Sequence, residues 1–317
     1  MAKYKDIKGT NVLNVDADPS NPVEGQVWYN KSTRILKAFR LTSASSWASI
    51  PALNTPRNNQ ATGGSGDVTA GLSHGGWPAT YQADTEEFDG STWSAAPDLS
   101  TGSGSAGGFG TQTAAVHTMG GVPSYVTTTE EYNGSSWTAG GASPYSADTL
   151  ACSGILTAGF ACGGNSGSGY LSTAAEYNGT SWTSATSSPA TLNFHAGCGT
   201  QTAGFFGGSQ VTTPNQYYEY DGSSWTSAAS LPDSSYNRSL TGIQTDAIYI
   251  GKNPGTQTAA YNGTSWSALP ATIPFAYGTG SAGGNTAAGA NTFIAAAGNA
   301  AQYQLAGVPE TVTVDVD

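Results

Sequence analysis

Along the chain, short stretches of apolar and small residues alternate with glycine-marked turns, and one aromatic hairpin recurs. A Tyr or Phe, an Asn-Gly or Asp-Gly pair, one or two small hydroxyl residues and a Trp appear as Phe88-Asp89-Gly90-Ser91-Thr92-Trp93, then over Tyr132–Trp137, Tyr177–Trp182, Tyr220–Trp225 and Tyr261–Trp266. Trp47 lies 46 residues before Trp93, and the later Trp spacings are 44, 45, 43 and 41. Two further markers keep the same period. Gly-x-x-Thr falls at Gly66, Gly110, Gly154, Gly199, Gly242 and Gly289, and a Gly-Gly pair follows at 75, 120, 163 and 207, weakening to Ile250-Gly251 and Ala297-Gly298.

These markers divide each unit into four strands. A strand of small residues enters Gly-x-x-Thr, a second such as Ala114–Met119 ends at Gly-Gly, a third such as Thr127–Tyr132 meets Asn-Gly, and the fourth carries the Trp. Asn-Gly between alternating segments signals a tight hairpin of type I′, with φ positive at both central residues. Side chains alternate along a strand, so the Tyr and Trp flanking the turn emerge on one face. Repeated in every unit, Trp47, Trp93, Trp137, Trp182, Trp225 and Trp266 are expected to pack unit against unit.

A period of 41–46 residues with four strands is that of a propeller blade. The last unit has its first two markers but no Trp strand, whereas Trp47 precedes the first Gly-x-x-Thr. The segment Leu36–Ser49 should therefore supply the outer strand of the final blade and close the ring, leaving no free sheet edge. The expectation is an all-β protein: a six-bladed propeller of four-stranded antiparallel blades over 35–307, a short N-terminal attachment segment with a β-hairpin over 1–34, and a strand-like tail over 308–317.

Composition agrees with many short strands: 43 Gly among 317 residues, 10% aromatic and only 10% charged. Net charge is −11, unevenly placed. Residues 1–57 hold eight of the ten basic side chains against four acids, a net +4, so the remainder carries −15. Such a body repels nucleic acid and anionic membrane alike. The basic beginning either docks on an acidic partner or lies on its own acidic body. The N-terminus has no apolar h-region and no run of eighteen apolar residues occurs, so the expectation is synthesis in a cytoplasm without membrane insertion. Cys152, Cys162 and Cys198 are too few and too clustered for a disulfide framework or a CxxC metal site, and read as small buried residues.

The order Gly-Gly, then Tyr, then Trp resembles the kelch repeat, with Tyr and Trp closer together than is usual there. Gly110-Thr111-Gln112-Thr113-Ala114-Ala115, followed by Thr128-Thr129-Glu130-Glu131-Tyr132-Asn133-Gly134-Ser135-Ser136-Trp137-Thr138, is similar to the repeats of kelch-like structural proteins of marine tailed phages. Gly25-Gln26-Val27-Trp28-Tyr29-Asn30-Lys31-Ser32-Thr33 looks like the hairpins of phage tail and appendage proteins. The resemblance implies a virion component, made in the host cytoplasm, of the tail-fibre, head-fibre or capsid-decoration kind. It implies contact with other virion proteins through the N-terminal segment and several copies on each particle.

Catalysis needs convergent titratable groups, and none is evident. His74, His117 and His195 do not repeat, so a metal or other cofactor is not expected. The doublets Glu86-Glu87 and Glu130-Glu131 send one carboxylate to each side of a strand and read as solvated charges at the blade periphery. Copper-radical oxidases on this kind of propeller need a Tyr, Cys and His constellation that is not matched.

The connections after Gly-Gly and after Trp share one face of the ring and vary in length and composition. Diversity in repeat proteins collects on the binding face, and Trp77, Tyr81, Tyr125, Tyr145, Tyr170, Phe194 and Tyr236 fall in these loops. Such aromatics either stack on a sugar or anchor a protein of a host surface, or they cover the ends of their own blades. The expected function is non-enzymatic: a virion structural protein displaying a propeller for host-surface binding or particle shielding. The alternative is a glycan-acting depolymerase or glycosidase, which would need clustered acids among loops offering only scattered Asp84, Asp98, Asp148 and Asp233.

Overall fold

The computed structural model describes residues 12–19, 26–41, 46–57, 61–64, 70–77, 80–122, 124–193, 196–209, 214–231, 239–250, 256–269, 273, 280–283, 292–296, 299–304 and 309–313. The chain forms two compact units, one from residues 1–46 with 304–317, the other from 47–303.

The larger unit consists of four-stranded antiparallel meanders, here called blades. Blade 1 holds Ala61–Gly64, Gly71–His74, Thr85–Phe88 and Trp93–Ala96. Blade 2 holds Gly107–Thr111, Ala114–Thr118, Thr129–Tyr132 and Trp137–Ala139, and blade 3 holds Ala151–Ile155, Ala158–Cys162, Ala174–Tyr177 and Trp182–Ala185. Blade 4 holds Ala196–Thr200, Ala203–Gly207, Tyr217–Tyr220 and Trp225–Ser227, and blade 5 holds Ser239–Ile243, Asp246–Ile250, Thr258–Tyr261 and Trp266–Ala268. Blade 6 takes three strands from the C-terminal part, Gly280–Gly283, Thr292–Ala296 and Asn299–Gln304, and its fourth from Ser46–Ile50. The first strands of successive blades lie side by side in chain order, and that of blade 6 lies beside that of blade 1. This is the six-bladed propeller expected from the repeat, completed by the Trp47 strand.

The closing strand is shorter than the sequence suggested. Ile35–Leu41 pairs with Val27–Asn30 and, on its other edge, with Pro309–Thr313, forming a sheet with Leu13–Val15 in the smaller unit. The boundary between units therefore falls at Ser46/Trp47 rather than after residue 34. The C-terminal strand Pro309–Thr313 thus belongs to the same sheet as the N-terminal strands. Asp18 organises the small unit: its carboxylate accepts from Trp28 Nε1 at 2.9 Å and Asn30 Nδ2 at 2.8 Å and pairs with Lys37, which holds its pKa down at about 2. Lys31 pairs with Asp16 at 2.8 Å, so part of the basic N-terminal charge is met within this unit.

The recurring hairpin differs from type I′. Gly90, Gly134, Gly179, Gly222 and Gly263 take φ between 87° and 93°, and neither the residue before nor the residue after each has positive φ, so the adjacent pair of positive φ values that type I′ requires is absent. The Asn or Asp stands one place earlier and acts through its side chain. Asn133 Oδ1 accepts from the Ser135 and Ser136 amides at 2.9 Å each, and Asp89 Oδ1 accepts from Ser91 and Thr92 at 2.8 and 2.7 Å. These bonds hold the exposed Asp89 carboxyl down at about 2. The Thr of Gly-x-x-Thr packs beneath the same turn: a Cβ on Gly134 would sit 3.3 Å from Thr113 Cβ.

A chain beginning at Pro51 lacks the outer strand of blade 6 and exposes the backbone edge of Asn299–Gln304. It is expected to unfold at a lower temperature than the full chain and to self-associate in sedimentation velocity.

Candidate functional site

The joints between blades absorb most of the chain's chemistry. Each hairpin packs its two aromatics against one another, tilted, with ring centroids 4.9 Å apart in Tyr132–Trp137, Tyr177–Trp182 and Tyr220–Trp225. The Tyr then rests on an apolar second-strand residue of the preceding blade: Leu72 beneath Tyr132, Val116 beneath Tyr177, Phe160 stacked on Tyr220 at 4.5 Å and Phe205 on Tyr261 at 4.6 Å. Polar atoms reach back the same way. Tyr132 Oη donates to Glu87 at 2.8 Å, Tyr220 to Glu176 at 2.8 Å and Tyr261 to Glu219 at 3.0 Å, and Tyr177 donates to Glu131. Burial and the neighbouring carboxylate raise all four phenols, Tyr261 to about 12.

The carboxylates read as solvated edge charges are thus acceptors between blades. The signal was present in the repeat, since Glu recurs immediately before the hairpin aromatic at 87, 131, 176 and 219. Trp Nε1 groups bridge similarly, Trp137 to Thr85 Oγ1 at 3.1 Å, Trp182 to Thr129 Oγ1 at 3.0 Å and Trp266 to the Ala229 carbonyl at 2.9 Å. Gln112, Gln201 and Gln244, third in Gly-x-x-Thr, each donate to two carbonyls of the preceding blade.

Two polar groupings break this pattern. Arg57, 1% exposed, pairs with the buried Glu86 at 3.1 Å and donates to the Asp84 and Ser73 carbonyls. Glu86 also accepts from the Asn54 and Thr55 amides at 2.7 and 3.1 Å, pinning the connection from blade 6 into blade 1. At the joint of blades 1 and 2, His74 Nδ1 and His117 Nδ1 lie 2.9 Å apart, one donating and the other accepting, with Trp137 against both rings. Burial holds both imidazoles well below their ordinary range, His117 at about 4, and for His74 the charges of His117 and Arg57 add to it. No group of three or more metal-ligating side chains forms among the described residues.

The loop aromatics divide. Trp77 is 49% exposed, Tyr81 41% and Tyr170 45%, and Tyr125 is half-buried. Trp77 and Tyr81 tilt together with centroids 5.8 Å apart, and Tyr125 Oη accepts from Asn165 Nδ2 at 3.0 Å. Tyr145 turns inward instead. Its half-buried ring packs with Met119, Ala147, Leu150 and Ala161, and its buried hydroxyl is pushed well above the ordinary range. Phe194 and Tyr236 lie outside the described residues. Cys162 and Cys198 are buried and Cys152 half-buried, and burial raises all three thiols.

Left-handed residues at the ends of the second strands build this face. The pair is Gly75-Gly76 in blade 1 and Gly163-Gly164 in blade 3, but Met119-Gly120 in blade 2, one place before the Gly-Gly of the sequence. Its second amide crosses to the connection that leads into the next blade: Gly76 N to Ser103 O at 2.7 Å, Gly120 N to Ala147 O at 2.8 Å and Gly164 N to Leu192 O at 2.7 Å. The loops are therefore held on a scaffold fixed by the backbone. Comparison with protein-family models and with curated proteins gives no match for the chain.

Two predictions test the joints. Tyr220→Phe and Glu176→Gln should show a coupling of about 1 kcal/mol in a double-mutant cycle of denaturant stability, the worth of one bond to a half-exposed carboxylate. The buried histidines bind protons less readily folded than unfolded, so stability should fall as pH drops from 6.5 toward about 4. Replacing His74 with Thr and His117 with Ala, the residues at the corresponding positions of the next joint (Thr118 and Ala161), should flatten that part of the profile in urea titrations.

Proposed function

We propose that the chain is a non-enzymatic structural protein of a phage particle, of tail-fibre, head-fibre or decoration type. The smaller unit attaches to neighbouring virion proteins, in several copies per particle, and the propeller presents its loop face outward for host-surface binding or shielding. The virion assignment draws on the likeness of the repeats and of the Val27–Asn30 hairpin to phage structural proteins.

The observation that carries a display role is the contrast between the two halves of each blade. Turns and joints are locked by repeated bonds, whereas the opposite loops carry the exposed Trp77, Tyr81 and Tyr170. A glycan-cleaving reading needs a pair of carboxylates free to face a substrate. Glu86, Glu87, Glu131, Glu176 and Glu219 are instead engaged in bonds that hold the ring.

The test is electron cryomicroscopy of virions carrying either the full chain or a chain lacking residues 1–34. Ring-shaped projections should be present on the first and missing from the second. Particles without the full-length protein would end the virion reading.

A further inference from the structure

We infer that Trp77, Tyr81, Tyr125 and Tyr170 form one continuous binding ridge across blades 1 to 3, and that its ligand is a neutral glycan. The inference rests on the loop face being the binding side of the display protein proposed above.

Continuity follows from local geometry. Tyr81 packs over Gly104, where a Cβ would lie 3.0 Å from its ring, and Gly104 bridges Gly121 of blade 2. The Tyr81 hydroxyl lies 3.8 Å from where a Gly121 Cβ would stand, and Gly121 is the cross-strand partner of Tyr125. Paired positions on a hairpin are neighbours on one face, so Tyr81 and Tyr125 adjoin. The Tyr125 ring lies over Gly167, its hydroxyl is held by Asn165, and Asn165 is bridged to Tyr170. Glycine at 104, 121 and 167 leaves these rings without side chains to cover them, and Gly169 faces open space.

The character of the ridge selects the ligand. Among the described residues, the exposed large apolar side chains on these loops are all aromatic. The exposed aliphatics are elsewhere, Ile155 at a Gly-x-x-Thr turn and Val12 and Leu13 in the smaller unit. A protein partner is usually met by a mixed apolar core with Arg or Met anchors. Bare aromatic faces flanked by amide, hydroxyl and carboxylate groups suit a pyranose, whose C–H face stacks on a ring while its hydroxyls bond at the edge. Asn165, Gln82, Ser166, Ser168 and Asp148 supply those polar groups.

Charge excludes the anionic class. No Lys or Arg occurs between Arg57 and Arg238, so these blades have no cation to meet a sulfate, phosphate or uronate. Asp148, bridged to Asn165, would repel one.

The test uses the purified full-length protein on immobilised dextran, mannan, laminarin and chitin oligosaccharides, with dextran sulfate alongside. Binding to at least one neutral polymer and not to dextran sulfate is expected. Trp77→Ala and Tyr170→Ala should each weaken it about tenfold, the loss of one stacking anchor. Trp77→Phe should retain most of it, and Ile155→Ala, on the opposite face, should leave it unchanged, with thermal midpoints reporting that each variant is folded. Failure to bind every neutral polymer, preference for dextran sulfate, or affinity unaltered in both alanine variants would overturn the proposal. Such a failure is separable from that of the virion reading, because glycan binding is read on the isolated protein and display on the particle.

Discussion

The structure depends on a bond direction. In every joint where the side chains are described, the hairpin of one blade reaches back to the blade before it, through an indole N–H, through a phenol, or through the amide of a Gln. In blades 1 to 4 the apolar second strand is covered by the hairpin Tyr of the next blade. Stability is then a sum over nearest-neighbour interfaces, as in other repeat proteins, but on a ring the sum has no end terms. Trp93 shows how the ring achieves this, for its indole donates at 3.0 Å to the carbonyl of Pro51, directly after the closing strand. A chain that starts its propeller with the last strand of its last blade makes its first and final joints simultaneously.

This constraint explains why side chains that suggest chemistry are held in bonds between blades. A carboxylate beside a phenol could be a general base, yet the repeated Glu accepts from a Tyr that burial keeps protonated, an arrangement suited to holding two sheets together. Where the phenol is missing, so is its partner: Phe88 follows a blade whose corresponding strand carries Gln302 instead of Glu. The ionic and imidazole groups concentrate around blade 1, where Arg57 and Glu86 fasten the incoming connection and His74 meets His117. Their buried polar atoms are only partly satisfied, for Arg57 Nε, His74 Nε2 and His117 Nε2 have no hydrogen-bond partner among the described residues.

Much of this architecture was legible because two rules act locally. Alternation along a strand puts Tyr and Trp on one face, and a missing outer strand at one end of the chain with a spare one at the other requires closure. What escaped the sequence lies where a third element decides. Tyr145 follows Pro144 in a variable loop, as a binding residue would, but the space under Met119 and Leu150 takes its ring. Leu36 to Leu41 has the same alternation as the closing strand, and only the Val27–Asn30 and Pro309–Thr313 edges on either side assign it to another sheet. Nor could strand patterning alone reveal that His74 and His117, 43 residues apart, meet across a joint.

The two faces of the ring therefore answer to different demands. Gly-x-x-Thr and Asn-Gly turns pack on one another, and changing their length would misalign the donors that reach backward. The opposite loops are tied by backbone bonds that differ from blade to blade, such as Gly121 N to Gly104 O and Asp148 N to Asn165 O, and they accommodate insertions such as the small hairpin from Gly121 to Tyr125. Exposed aromatics accumulate where the ring imposes least, on a body whose acidic groups are largely committed to structure. A scaffold of this kind gains binding specificity by altering loop tips while its core stays fixed, which is the physical reason to look for recognition on the loop face and for cohesion everywhere else.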